Sequence, residues 1–389
     1  MLGTSTLSGE PFGPADGRLN PRELWGLASG RVRSKIVMKA ILLAGGKGTR
    51  LRPLTLHTPK PVVPIFDRAF LHYQIDLLKQ LPEVDEVILS LNYQPRRIEE
   101  VFGEGEGVGV RIRYVVEPAP LGTGGAIRYA AQGITDTLIV FNGDVMTNVD
   151  VGAVLQRHRA AKARATIVLT PVENPSAYGL VETDANGHVT RFLEKPKPDE
   201  VTCNTINAGI YVLEPETFDR IPKDVSYSIE RAYFPSLNER GETFVAYVDR
   251  GYWIDIGTPE KYIQVHRDMF DGRFTAGLFQ GVDSSQPVVS PDARIDDGAT
   301  LTGPCFVDAG AHVKTDARIG PYTVLGRGVV IEDGATLRNS IVWPNTRIGQ
   351  NSVIEGAILG RNCHIGRNVS MTGTAILGDK STLTDYTHL

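Results

Sequence analysis

Met38-Lys39-Ala40-Ile41-Leu42-Leu43 runs directly into Ala44-Gly45-Gly46-Lys47-Gly48-Thr49-Arg50-Leu51-Arg52-Pro53-Leu54-Thr55, and Pro59-Lys60-Pro61 follows. An apolar run of strand length that breaks on three glycines reads as a strand entering a loop. Glycines let the backbone approach phosphate oxygens closely and point N–H groups at them. Arg50 and Lys60 are cations placed to hold a polyphosphate. Two familiar phosphate loops do not fit. A P-loop needs G-x-x-x-x-G-K-[ST], but Lys47 precedes Gly48 and no glycine stands at the upstream position. A dinucleotide fingerprint needs a third glycine where Leu51 stands.

Outward from this loop, apolar runs recur at 87–91, 112–116 and 138–141, the last closing on Asn142-Gly143-Asp144. Helix-patterned stretches lie between them at 71–80 and 124–131. Alternating strands and helices predict a largely parallel α/β sheet with ligands at the strand C-termini. Strands become denser at 166–170, 208–213 and 244–248, and the domain is expected to span 38–270. Residues 271–287 read as a linker.

From Val289 the texture changes. Aliphatic residues recur every six positions at Val289, Ile295, Leu301, Val307, Val313, Ile319, Leu325, Ile331 and Leu337. A small or β-branched residue follows each by four, from Ala293 and Ala299 through Thr323 and Ala335 to Ile341. The period slips by one near 343–348 and resumes at Ile348 and Ile354. Hexads in phase predict a parallel β-helix over 288–389, aliphatics inward and small residues at the corners. Residues 281–389 hold only Phe306, Tyr322, Trp343 and Tyr386 among the aromatics, as a narrow interior requires.

Composition narrows the function. The 389 residues carry a net charge of −4 without blocks of one sign, which argues against nucleic acid as the main partner. No apolar run is long enough for a membrane span. Gly 41 and Pro 24 are an excess without a Gly-X-Y period, so collagen is excluded and turns or close backbone approaches are expected. Cys203, Cys305 and Cys363 are distant and odd in number, which speaks against a disulfide framework or zinc site and for a reducing cytoplasm. Residues 1–37 are polar and weakly patterned, and a disordered N-terminal extension is expected there.

The string at 45–61 resembles the G-G-x-G-T-R-L-x-P-L-T…P-K-P signature of the sugar-phosphate nucleotidyltransferases. Glu117-Pro118-x-Pro120-Leu121-Gly122-Thr123, Asn142-Gly143-Asp144, Tyr178-Gly179, Phe192-Leu193-Glu194-Lys195-Pro196, Asn207-Ala208-Gly209 and Trp253-Ile254-Asp255-Ile256-Gly257 follow in the family's order. The likeness is strongest to guanylyltransferases acting on mannose 1-phosphate. It implies a Rossmann-like nucleotidyltransferase domain with a mixed, mostly parallel sheet, then a left-handed β-helix.

The same resemblance assigns roles. Arg50, Lys60 and Lys195 act on the phosphates, and Leu43, Ala44, Gly45, Gly46, Gly48, Thr49, Glu117, Gly122 and Thr123 bind the nucleotide. Asn142, Gly143, Gly179, Glu194, Asn207 and Trp253 face the sugar, where Trp253 either packs on the ring or fills core. Asp144 and Asp255 are expected to hold Mg²⁺. Glu117 bears on the base: guanine presents two adjacent donors that a carboxylate can accept, whereas thymidylyl- and uridylyltransferases usually carry Gln there. The implied partners are GTP and a sugar 1-phosphate, in a homo-oligomer to which the β-helix contributes. Alternatives are a thymidylyl- or uridylyltransferase for glucose 1-phosphate, a guanylyltransferase for a cyclitol phosphate, an enzyme with acyltransferase activity at His312 or His364, and a silent regulatory homologue.

Overall fold

The strand Met38–Leu43 forms because it can be buried on both faces. Met38, Ala40 and Leu42 pack into one apolar cluster and Ile41 into another, as a period of two demands. Around it, in a computed structural model describing residues 38–389, a nine-stranded sheet assembles. The expected extension at 1–37 lies outside the described residues. Val84–Leu91 and Leu138–Asn142 flank the first strand in parallel, and Arg111–Val116 extends the parallel run. Thr205–Leu213 is antiparallel to Leu138–Asn142 and also meets Ala165–Pro171 and Gly179–Thr183. The sheet is thus mixed, with its parallel half around the glycine loop.

Helices cover both faces. Leu71–Lys79 buries Leu71, Ile75 and Leu78, a helical spacing, against one face. Gly122–Ala130 sets Ile127 and Ala130 against the other. Pro259–Phe270, capped by Thr258 accepting from the Lys261 N–H, carries Tyr262, Val265, Met269 and Phe270 inward.

The hexads wind into a parallel β-helix with three sheets of short strands. Strand partners stand 18 residues apart, Pro287 opposite Cys305 and Arg294 opposite His312, so three hexads complete a coil. This is the arrangement of the left-handed β-helix. Val307, Val313, Ile319, Leu325, Ile331 and Leu337 fill the interior, with Ala311, Ala317 and Ala335 beside them.

The structure corrects two expectations here. The register slip comes before Trp343: Val342 is the inward residue, opposite Leu325, and the coil is one residue short because Arg338–Ile341 lacks one. Asn339 turns this corner at φ 50°, and Gly356 turns a second shortened corner at φ 76°. Ile341, placed in the small row by the hexad count, therefore points outward, and buried Ser340 takes the interior place. Its hydroxyl donates to Arg338 O and accepts from the Ala357 N–H, which satisfies it inside the prism. The second correction concerns 271–287. Phe274 and Phe279 are buried, and Phe279 packs on Phe66 and Phe270, so this segment belongs to the core and is no free linker.

One sheet of the β-helix faces the first domain. Phe306, Val324, Ile341 and Ile358 alternate with the inward residues and join the cluster built by the α/β sheet. Phe306 meets Phe66 edge-on at 5.6 Å, and Trp343 Nε1 donates to Tyr262 Oη at 2.9 Å. Phe306, Tyr322 and Trp343 thus avoid the interior and cement the two domains, while Tyr386 is exposed.

Candidate active site

The four parallel strands end at the same sheet edge, and each leads into a residue that lines one cavity of about 560 Å³. Met38–Leu43 leads into 44–50, Val84–Leu91 into Asn92, Arg111–Val116 into Glu117, and Leu138–Asn142 into Gly143 and Asp144. Backbones converge closely here. The Gly143 N–H donates to Leu43 O at 3.0 Å, and a Cβ at Gly143 would stand 2.5 Å from that oxygen, so only glycine fits. Gly48 turns the loop at φ 59°, and Thr55 Oγ1 donates to its carbonyl at 2.7 Å.

Lys60 is buried despite its charge, 8% exposed, between Pro59 and Pro61. Its Nζ donates to Asp144 Oδ2 at 3.1 Å. Burial alone would raise the Asp144 pKa. The charge and hydrogen bond of Lys60, with Arg50 and Lys261 behind it, outweigh burial and hold the carboxyl below the usual range. Asp144 sits in the turn that follows the end of Leu138–Asn142 and precedes Val145–Thr147. Trp253–Asp255 pairs antiparallel with Val145–Thr147, Asp255 opposite Val145, and the Ile256 N–H donates to Asp144 O at 2.8 Å. The two aspartates are therefore neighbours. Arg50 reaches the same place, its Nη2 lying 2.8 Å from where a Cβ of Gly257 would be.

Glu117 lines the cavity and is itself buried. Oε2 accepts from the Leu121 N–H at 3.0 Å and Oε1 from Ser90 Oγ at 3.2 Å. Each oxygen keeps a lone pair for a further donor. Leu43, Ala44, Gly45, Gly46, Thr49, Gly122, Thr123 and Asn142 complete the predicted residues that line the cavity. Gly124 does not line it: its N–H and that of Gly125 donate to Tyr227 O, so these glycines admit a neighbouring segment.

The remaining predicted residues form an adjoining group outside the cavity lining. Glu194 lies opposite Gly179, where a Cβ would meet the Phe192 ring at 2.8 Å and Glu194 Oε2 at 3.0 Å. Burial, reinforced by Glu230, raises the Glu194 pKa. Lys195 is exposed, follows that strand at φ 53°, and its N–H donates to Tyr178 O. Asn207 accepts from the Gly209 N–H and donates to Tyr211 Oη, holding a strand irregularity that brings Gly209 against Asn142. Trp253 is half-buried, donates to Ala208 O at 2.9 Å and meets the Tyr178 ring edge-on.

Several residues at the site carry no role in the sequence reading. Asn92 lines the cavity against Gly45, and its place just after an apolar run was the available signal. Lys47 lines it too. Tyr178 Oη donates to Asp255 Oδ1 at 3.0 Å, and Lys261 Nζ donates to both Tyr178 Oη and Asp255 Oδ1. A lone lysine on an amphipathic helix gives no sequence signal. Among the described residues no three His, Cys, Asp or Glu side chains cluster to hold a metal. The hard oxygens of Asp144 and Asp255 still fit Mg²⁺, which takes one or two carboxylates and completes its shell with phosphate and water.

His312 and His364 share one β-helix sheet three rungs apart, with Val330 and Arg347 between them. His312 Nε2 bonds Asp296 Oδ2 at 2.8 Å, and His364 is exposed. No helix among the described residues is long and apolar enough to cross a membrane.

Comparison with known proteins agrees with this geometry. The nucleotidyl transferase family profile matches residues 39–272, and the profile of the GMPPB C-terminal domain matches 301–389. A mannose-1-phosphate guanylyltransferase of Mycobacterium tuberculosis is 37% identical over 81% of this chain and 82% of its own length. Mannose-1-phosphate guanylyltransferase 1 of Arabidopsis thaliana is 34% identical over 90% and 93%. A UTP–glucose-1-phosphate uridylyltransferase of Synechocystis is 30% identical over 87% and 90%. The crystal structure of HddC from Yersinia pseudotuberculosis superposes with a TM-score of 0.51 at 31% identity, covering 58% of this chain and 96% of that one. The same protein has also been solved in complex with GMP-PN, TM-score 0.50.

Proposed function

The chain belongs to the nucleotidyl transferase family, and from that premise we propose that it transfers GMP from GTP to a sugar 1-phosphate, with mannose 1-phosphate as the acceptor. GDP-sugar and pyrophosphate are the products. The observation that carries this reading is the convergence of the glycine loop, Arg50, Lys60, Glu117 and Asp144 on one cavity. The names of the mycobacterial and plant relatives support mannose and guanine, and the GMP-PN complex supports a guanine nucleotide.

In this reading the triphosphate lies along 45–48. An oxygen of the sugar phosphate attacks the α-phosphorus in line, a P–O bond forms, the α–β bridging bond breaks and pyrophosphate leaves. Arg50 and Lys60 offset the charge that develops on the leaving group. Lys195 holds the sugar phosphate, while Glu194, Asn207 and the backbone at Gly179 receive the sugar. Asp144 and Asp255 would hold Mg²⁺, which when bound neutralises charge on phosphate oxygens. Glu117 accepts the N1–H and amino donors of guanine through its remaining lone pairs.

The uridylyltransferase relative makes UTP with glucose 1-phosphate the competing pair. Pyrophosphate release over nucleotide and sugar phosphate combinations separates the two. We place the activity in the cytoplasm, in a homo-oligomer to which the β-helix contributes.

A further inference from the structure

The β-helix reaches the catalytic loop itself. Lys60 lies in Thr58-Pro59-Lys60-Pro61-Val62, and both ends of this segment are held from the β-helix. Thr58, 5% exposed, donates from Oγ1 to Asp379 Oδ2 at 2.8 Å. Arg361 Nη2 donates to Val62 O at 3.4 Å, and its guanidinium lies 5.6 Å from the Trp343 ring centroid. Asp379 is fixed in turn, since Oδ1 accepts from the Arg361 N–H at 2.8 Å. The neighbouring Gly378 has no side chain, and a Cβ there would stand 3.1 Å from Pro53 O. Two prolines limit the φ freedom of the bracketed stretch, so the position of its ends is passed to the lysine between them.

We infer that Asp379, acting through Thr58, is a positioning residue for Lys60, and that this corner of the β-helix is part of the transfer machinery. The inference rests on the proposed role of Lys60 in nucleotidyl transfer. Small displacements of a positioned group cost large factors in rate, whereas an ordinary interdomain contact affects only stability. The Thr58–Asp379 pair spans 321 residues of chain, which makes it a direct route from the β-helix to the site.

The test combines kinetics with hydrogen exchange on the full chain. Thr58→Val and Asp379→Ala should each lower kcat about ten- to a hundredfold with little change in KM for the sugar phosphate. Thr58→Ser should restore the rate, and the double variant should be no slower than the worse single one. Asp379→Ala should also speed amide exchange across 53–62 while leaving the central strands protected. That readout needs no substrate, so if the wild-type chain turned over no pair tried, the functional reading would fail and exchange would still decide the pin. Unchanged exchange in 53–62, or wild-type kcat in both single variants with only a lowered Tm, would overturn the inference.

Discussion

Lys60 Nζ and Asp144 Oδ2 stand 3.1 Å apart, although 84 residues separate them in sequence. Their loops meet because Met38–Leu43 and Leu138–Asn142 are adjacent parallel strands that end at the same sheet edge. A cation and a carboxylate are thereby brought to one cavity, where the proposed function puts the polyphosphate and the divalent cation. Lys60→Met should lower kcat about 10²- to 10³-fold, the cost of losing one preorganised group at a developing charge. Steady-state kinetics alongside circular dichroism would check this, and wild-type kcat in a folded variant would refute the role.

Asp144→Asn and Asp255→Asn should each reduce turnover by about a hundredfold or more, since a metal site supplies several kcal/mol to a phosphoryl transition state. Chelation with EDTA should abolish turnover of the unmodified chain, and added Mg²⁺ should restore it. Thermal melting separates loss of activity from loss of fold. Full activity in both variants would remove the metal assignment.

Glu117→Gln should shift the kcat/KM ratio of GTP to UTP toward UTP by about ten- to a hundredfold, the scale of a hydrogen bond to a charged acceptor. Ser90 and Leu121 already hold the carboxylate, so the substitution changes the acceptor pattern more than the side-chain position. An unchanged ratio would transfer base reading to other groups.

His266 lies at the domain junction, 2% exposed, with Nδ1 bonded to Tyr262 O. Its Nε2 finds no hydrogen-bond partner among the described residues. Burial lowers its pKa from the ordinary 6.5 to about 4. The unfolded chain therefore binds this proton first as pH falls, so stability drops between 6.5 and about 4, by about 3 kcal/mol when integrated. His266→Phe should flatten that part of the profile. Denaturant unfolding at several pH values measures it, and parallel wild-type and variant profiles would contradict the assignment.

Much of this was legible in the residues. The strand entering Gly45-Gly46-Lys47-Gly48 marked both the sheet and the edge that carries the cavity, and the hexads marked the β-helix, because each pattern follows from short-range geometry. What escaped depended on partners distant in the chain. Trp343 and Ile341 face the first domain because a shortened coil turns them outward, and the hexad count sets that slip at 343–348, past the corner where it occurs. Phe274 and Phe279 made 271–287 part of the core, where a Gly- and Ser-bearing stretch suggests a tether. Lys261 and Asn92 reach the site from elements whose local pattern names only a helix and a strand end.

The most direct measurement is pyrophosphate release by the purified chain with Mg²⁺, pairing GTP, UTP, dTTP and ATP with mannose 1-phosphate, glucose 1-phosphate and other 1-phosphates. The account predicts the highest kcat/KM for GTP with mannose 1-phosphate and a product of the mass of GDP-mannose. Release with no pair at all would contradict nucleotidyl transfer, and a maximum at UTP with glucose 1-phosphate would contradict the guanine assignment resting on Glu117.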